Sequence, residues 1–114
     1  MFHNELLQRA IEELKIDYPN TVIIYDDYYN VFTWVLSQAR FHGFDLNSVQ
    51  KACCGAGGSY NLNPRKMCGA PGIFACPNPY SYISWDGIHL TQHAHKLMAE
   101  WLIRSIFPQL QFQI

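Results

Sequence analysis

The residues with the clearest potential for chemistry are Asp86 and His89, a carboxylate three residues before an imidazole with Gly87 between them. The Asp-Gly pair favours a turn, because glycine adopts positive φ without strain and aspartate bonds to its own backbone. The ends of a β-turn lie within about 7 Å of each other, so Asp86 can accept the Nδ1 hydrogen of His89. Such a bond fixes one tautomer and leaves Nε2 free as a general base.

The residues after this pair predict a helix that would anchor the turn. Thr91 is a favourable N-cap, and the pattern that follows it predicts a helix over residues 92–107, ended by Pro108. An Asp-x-x-His pair alone is nevertheless a weak motif, and it is more often a turn with a surface histidine. The interpretation therefore depends on the motifs that precede it.

Several motifs stand upstream of the pair in a definite order. They are Ala52-Cys53-Cys54-Gly55-Ala56-Gly57-Gly58, Tyr60-Asn61, Cys68-Gly69 and Cys76-Pro77-Asn78-Pro79, followed by Tyr82 and residues 84–91. In this order and at this spacing the chain resembles the GDSL-motif esterase/lipase family of the SGNH hydrolases, and its plant branch most of all. The resemblance covers nearly the whole chain and is most specific in the second half.

The resemblance implies an α/β fold. Residues 1–114 would be the C-terminal part of a single flavodoxin-like, three-layer α/β/α SGNH hydrolase sandwich, with an irregular segment stapled by disulfides. The family's Gly-Asp-Ser nucleophile block, its oxyanion-hole glycine and its Gly-x-Asn-Asp block have no counterpart in these residues. The N-terminal part that carries the nucleophile is therefore expected to lie outside this chain.

The resemblance also implies a reaction, the hydrolysis of a carboxylic ester by acyl transfer from a serine to water. Asp86 would orient His89, and His89 would act as general base, with no metal or organic cofactor. The expected substrate is a small-molecule ester, whether an acylated alcohol, a phenolic ester or a lipid. The chain by itself is expected to be inactive. The alternative is a non-catalytic, disulfide-stapled fragment or interaction module derived from the family.

The four cysteines, at positions 53, 54, 68 and 76, lie in one loop-rich stretch. Two disulfides are favoured over zinc, because the short Cys-x-x-Cys spacing of zinc sites is missing. Adjacent cysteines rarely bond to each other, so Cys53 and Cys54 are each predicted to bond to Cys68 or Cys76, with both pairings open. Disulfides and the family resemblance predict a secreted or vacuolar location. No signal peptide is predicted at Met1.

The first half of the chain predicts two helices around one strand. Asn4 is a candidate N-cap for an amphipathic helix over residues 5–16, and a second helix is predicted over residues 31–38 with Gly43 as its stop. Residues 21–25 are short, apolar and β-branched, which is typical of a buried parallel strand. Asp26 and Asp27 follow that strand, and capping of the next helix is the preferred role. One strand needs neighbours, which also indicates part of a larger domain.

Composition excludes several classes of function. The chain is 49% hydrophobic and 15% aromatic, which indicates a globular protein. Its formal net charge is -1 with scattered Lys and Arg, so nucleic acid is not an expected partner. No apolar run is long enough to predict a transmembrane segment. Residues 55–58 are glycine-rich but lack the Lys and Ser/Thr of a phosphate-binding loop. His93 and His95 are predicted to be solvated.

Overall fold

The computed structural model describes residues 1–111, which contain three α-helices and two short 3₁₀ helices. Helix α1 spans Phe2–Asp17, α2 spans Tyr28–Ser37 and α3 spans Gln92–Gln111. The 3₁₀ helices span Ala39–His42 and Pro79–Ser81. Helices α2 and α3 pack against each other, the 3₁₀ helix Ala39–His42 contacts α2, and the 3₁₀ helix Pro79–Ser81 contacts α3.

The core lies between α2 and α3. Val31 and Val35 of α2 and Ala94 and Met98 of α3 are at most 1% exposed. Ala39, Phe44 and Ile83 complete this cluster. The helical spacing in the sequence predicted these faces, because buried positions recur every three or four residues.

The helix boundaries differ from the predicted ones in ways that follow from capping. Asn4 lies inside α1, which starts after Met1 without a side-chain cap. Asp27 is the cap of α2, as predicted, because its Oδ1 accepts the backbone N–H of Asn30 at 3.0 Å. Helix α2 therefore begins at Tyr28 rather than at residue 31. Helix α3 continues through Pro108 to Gln111, so the predicted stop at this proline was wrong.

The predicted strand at residues 21–25 was wrong. These residues are not in a strand, and the backbone hydrogen bond found among them within the described residues is a local one, from the N–H of Thr21 to the carbonyl of Tyr18 at 3.0 Å. Residues 1–111 contain isolated β-bridges but no extended β-strand. The three-layer sandwich is therefore not confirmed. The reason is that a parallel strand is defined by its neighbours, and residues 1–111 supply none for this segment.

Helix α1 has no buried residue. Leu6, Leu7 and Leu14 of its apolar stripe are 46%, 42% and 43% exposed. The helix is amphipathic as predicted, but the described residues provide no sheet for it to cover.

None of the described helices is long and apolar enough to cross a membrane.

Two disulfides hold the irregular middle of the chain. Cys53 bonds to Cys76 and Cys54 bonds to Cys68, so the prediction of two bridges is confirmed and the open pairing is resolved. The bridges close loops with sequence separations of 23 and 14, and loops of this size are worth about 3 kcal/mol each on the loop-entropy account. All four thiols are used in disulfides, which excludes them as zinc ligands in this state.

Candidate active site

The structure brings Asp86 and His89 together. Oδ2 of Asp86 lies 2.7 Å from Nδ1 of His89, within hydrogen-bonding distance. Oδ1 of Asp86 accepts two backbone N–H groups, from Ile88 at 2.9 Å and from His89 at 2.7 Å. One carboxylate thus closes the turn with one oxygen and holds the imidazole with the other.

Gly87 allows the sharp reversal between the two residues. Its φ is +90°, a conformation that other L-residues adopt only with strain. A Cβ at this position would also lie 2.7 Å from Cδ1 of Leu62. The N–H of Gly87 donates to Oγ of Ser84 at 3.0 Å, and the N–H of Trp85 donates to the carbonyl of His89 at 2.8 Å. These two hydrogen bonds therefore close the turn between Ser84 and His89.

Thr91 joins the turn to α3. Its Oγ1 accepts the N–H of Ala94 at 3.3 Å, as an N-cap does, and donates to the carbonyl of Tyr82 at 2.7 Å. The N–H of Thr91 donates to the carbonyl of Ile83 at 2.8 Å. Thr91 is 3% exposed, so the predicted cap is also a buried anchor for the start of the helix.

The pKa of Asp86 indicates which atom of the Asp86–His89 pair carries the shared proton. Partial burial raises the pKa of the Asp86 carboxyl, but hydrogen bonds from the backbone and ring of His89 and the backbone of Ile88 outweigh this effect, and the pKa falls to about 2. An ionised carboxylate only accepts, so Nδ1–H of His89 must be the donor. In the neutral imidazole, Nε2 then keeps its lone pair. The His89 side chain is 69% exposed, so Nε2 is open to an incoming hydroxyl.

This pKa predicts a pH dependence of folding stability. The Asp86 carboxyl has its ordinary pKa of 3.8 in the unfolded chain and a pKa of about 2 in the fold. A lowered pKa adds stability that is fully present above the unfolded value and is lost as the pH falls toward the folded value. We expect the wild-type chain to lose more stability between about pH 5 and about pH 2 than Asp86→Asn loses. Urea unfolding followed by circular dichroism measures both, and parallel curves would contradict the prediction.

His93 is half-buried and packed against other rings rather than a solvated surface residue, so that prediction was wrong. Its ring stacks on Tyr80 at a centroid distance of 3.7 Å and lies 4.7 Å from the ring of Phe44. Its Nε2 lies 2.7 Å from the carbonyl of His42. These partners are distant in sequence, so helical spacing gave no signal for them. His95 is exposed, as predicted.

Sequence reasoning also missed the supports of the turn. Ser84 was placed in the family block without a role, and its Oγ accepts from Gly87 three residues later. That spacing is the signature of a serine side chain that closes a turn, so the pattern was available in the sequence. The contact of Leu62 with Gly87 spans 25 positions and left no local signal.

Comparison with known proteins adds a family assignment to this geometry. The profile of the GDSL-like Lipase/Acylhydrolase family matches residues 3–102. The chain belongs to this family. Among its curated relatives are Acetylajmalan esterase 2 of Rauvolfia serpentina and a GDSL esterase/lipase of Arabidopsis thaliana, each 44% identical over 111 residues. A second Rauvolfia serpentina protein, Acetylajmalan esterase, is 43% identical over the same length.

These matches cover 97% of this chain but only 30%, 33% and 29% of the three relatives. The chain thus spans about a third of the length of the GDSL proteins that it resembles. No solved structure matches it.

Proposed function

We propose that this GDSL chain supplies the orienting carboxylate and the general base of a serine ester hydrolase. The observation that carries the proposal is the 2.7 Å approach of Asp86 Oδ2 to His89 Nδ1, with the rest of the imidazole open to solvent. A base needs a fixed tautomer, a free ring nitrogen and access to the nucleophile, and the turn provides all three.

The chemistry of the pair follows from its geometry. A serine hydroxyl of the complete domain attacks the ester carbonyl, and Nε2 of His89 takes the hydroxyl proton. The imidazolium then carries a positive charge 2.7 Å from the Asp86 carboxylate, which stabilises it. His89 returns the proton to the leaving alcohol, and water repeats the sequence on the acyl-enzyme. No step of this sequence uses a metal or an organic cofactor.

The proposal treats residues 1–114 as the C-terminal part of a single SGNH hydrolase domain. Three observations support this: the relatives are about three times longer, the apolar stripe of α1 is exposed, and residues 21–25 have the composition of a strand without a partner. The missing part would supply the sheet, the nucleophile and the oxyanion donors.

The substrate proposed for the complete domain is a carboxylic ester of a small molecule. Two of the compared relatives are named as esterases of acetylajmalan, and the third is named as an esterase/lipase. Two disulfides also support a location in an oxidising compartment, either outside the cell or in the vacuole.

A chimera tests the proposed function directly. In it, this chain replaces the matching 111 residues of Acetylajmalan esterase 2. We expect the chimera to hydrolyse the ester that gives the relative its name, because the incoming segment brings the Asp86–His89 carboxylate–imidazole pair. A folded chimera without hydrolysis would contradict the proposal and favour a non-catalytic module. Circular dichroism and thermal unfolding establish that the chimera is folded.

A further inference from the structure

A ladder of backbone hydrogen bonds leads from the disulfides toward the Asp86–His89 turn. The N–H of Cys76 donates to the carbonyl of Cys53 at 2.6 Å. The N–H of Cys53 donates in turn to the carbonyl of Ser84 at 3.0 Å, and the N–H of Cys54 donates to the carbonyl of Trp85 at 2.7 Å. The two adjacent cysteines therefore lie between their disulfide partners on one side and the start of the turn on the other.

The ladder continues through the turn itself. Ser84 forms a parallel bridge with Ala52 and an antiparallel bridge with Leu90, so it is held from both sides. The N–H of Trp85 donates to the carbonyl of His89, which closes the turn. Backbone hydrogen bonds thus connect Cys53 and Cys54 to Ser84 and Trp85, and Trp85 to His89, although the sequence separation is large.

A side-chain contact adds to the backbone ladder. The side chain of Leu62 packs so closely on Gly87 that a Cβ there would lie within 3.2 Å of three of its carbon atoms. Leu62 belongs to the loop closed by the Cys54–Cys68 bridge. The bridge therefore restrains both the peptide group that bonds to Trp85 and the side chain that packs on the turn.

We propose that residues 52–76, the stapled segment, position Asp86 and His89 through this ladder and through Leu62. The segment touches no reacting atom, so its cysteines and Leu62 are positioning residues. This inference rests on the proposed function and adds the part of the chain that fixes the base. The His89 side chain is 69% exposed, so its position depends on its bond to Asp86 and on the backbone that carries both residues. An error of about 1 Å in a catalytic group can lower the rate about a hundredfold.

The tautomer of His89 can be measured in the 114-residue chain without a substrate. It shows whether Asp86 still holds the Nδ1–H of His89. Long-range ¹H–¹⁵N correlations distinguish the Nδ1–H from the Nε2–H form of a neutral imidazole, at about pH 8.5, well above the ordinary pKa of histidine. We expect Nδ1–H to be the major form in the wild-type chain. In the double variant Cys54→Ala/Cys68→Ala we expect this form to lose its majority, since a free imidazole favours Nε2–H. A folded double variant in which Nδ1–H stays the major form overturns the proposal.

A control separates positioning from general loss of stability. Met98→Ala removes a side chain that is 1% exposed in the α2–α3 core, outside the stapled segment. It lowers stability by a cavity in the core, and we expect it to keep the Nδ1–H form. Equal loss of that form in Met98→Ala would show that the tautomer follows stability alone, and would overturn the proposal.

Leu62→Ala decides the question if the double variant does not fold. It keeps both disulfides and removes only the contact with Gly87. A reduced Nδ1–H population supports the proposal, and an unchanged population overturns it. The proposed function is tested separately, by the activity of the chimera. A His89→Ala chimera that stays active would contradict the proposed function, and it would not change the spectra of the 114-residue chain.

Discussion

Replacing His89 with alanine in the chimera is expected to lower kcat/KM by at least roughly 10⁴-fold, as loss of the base of a serine hydrolase triad does. Without Nε2, no group takes the proton of the attacking hydroxyl, and no acid protonates the leaving alcohol. The remaining rate would come from the oxyanion donors and from substrate binding in the other part of the domain. Hydrolysis of the ester under steady-state conditions measures the change.

A matched control lies six residues away. His95 is exposed on α3, and it is not among the residues that hydrogen-bond to the pair. We expect His95→Ala to leave kcat/KM unchanged. Because both variants lose one surface imidazole, a difference between them reports the position of His89 and not the loss of a histidine. An active His89→Ala chimera would rule out the proposed role of His89.

The variant Asp86→Asn tests whether the carboxylate of Asp86 is needed to orient the imidazole of His89. The amide oxygen can still accept the N–H groups of Ile88 and His89, so the turn is expected to persist. The amide nitrogen then faces Nδ1 as a donor, which favours the tautomer that has its proton on Nε2. Among the described residues, no other acceptor bonds to Nδ1. We therefore expect a loss in kcat on the order of 10⁴-fold, comparable to that of His89→Ala.

The turn could be predicted from the sequence because its determinants are local. Asp86, Gly87 and His89 lie within four residues, and glycine at positive φ together with aspartate capping defines the geometry without help from the rest of the fold. The Thr91 cap and the buried faces of α2 and α3 follow from equally local patterns. These features depend on spacing within one element.

The strand and the surroundings of His93 were not predicted correctly because they depend on residues distant in sequence. A strand at residues 21–25 needs hydrogen bonds from a neighbour, and composition cannot reveal that none of the described residues provides one. The stack of His93 on Tyr80 and its approach to the carbonyl of His42 join residues 13 and 51 positions away. The disulfide pairing stayed open for the same reason, because either pairing satisfies the sequence. The ladder through residues 52–54 is what brings Cys76, rather than Cys68, next to Cys53.

The chain alone is expected to hydrolyse no ester by a triad mechanism and to react with no serine-directed fluorophosphonate. In the described residues, the Oγ atoms of four of its six serines, Ser37, Ser48, Ser81 and Ser84, make local hydrogen bonds. Oγ of Ser48 donates to Asp45 at 2.7 Å, Oγ of Ser81 donates to the carbonyl of Asn78 at 2.9 Å, and Oγ of Ser84 accepts from Gly87. None of the serines at positions 37, 48, 59, 81, 84 and 105 hydrogen-bonds to His89 in the described structure.

The chemistry of the isolated pair explains why a base and its orienting carboxylate are insufficient. Without a nucleophile no covalent acyl-enzyme forms, and none of the described serine hydroxyls hydrogen-bonds to His89. The exposed imidazole can still act as a weak catalyst on activated aryl esters, as free imidazole does. Slow turnover of an aryl acetate is therefore compatible with the prediction, provided that no serine is labelled.

The decisive measurement compares the chain with the chimera under one protocol. Both proteins are incubated with a fluorophosphonate probe, and intact mass spectrometry counts the labels. We expect one label on the chimera, on a serine outside the 111 residues that this chain contributes, and none on the chain alone. Since Asp86 and His89 are present in both proteins, this difference would assign the nucleophile to the part of the domain that the chain lacks. Stoichiometric labelling of one serine in the isolated chain would instead place a nucleophile within these 114 residues, and the proposed division of the triad would be wrong.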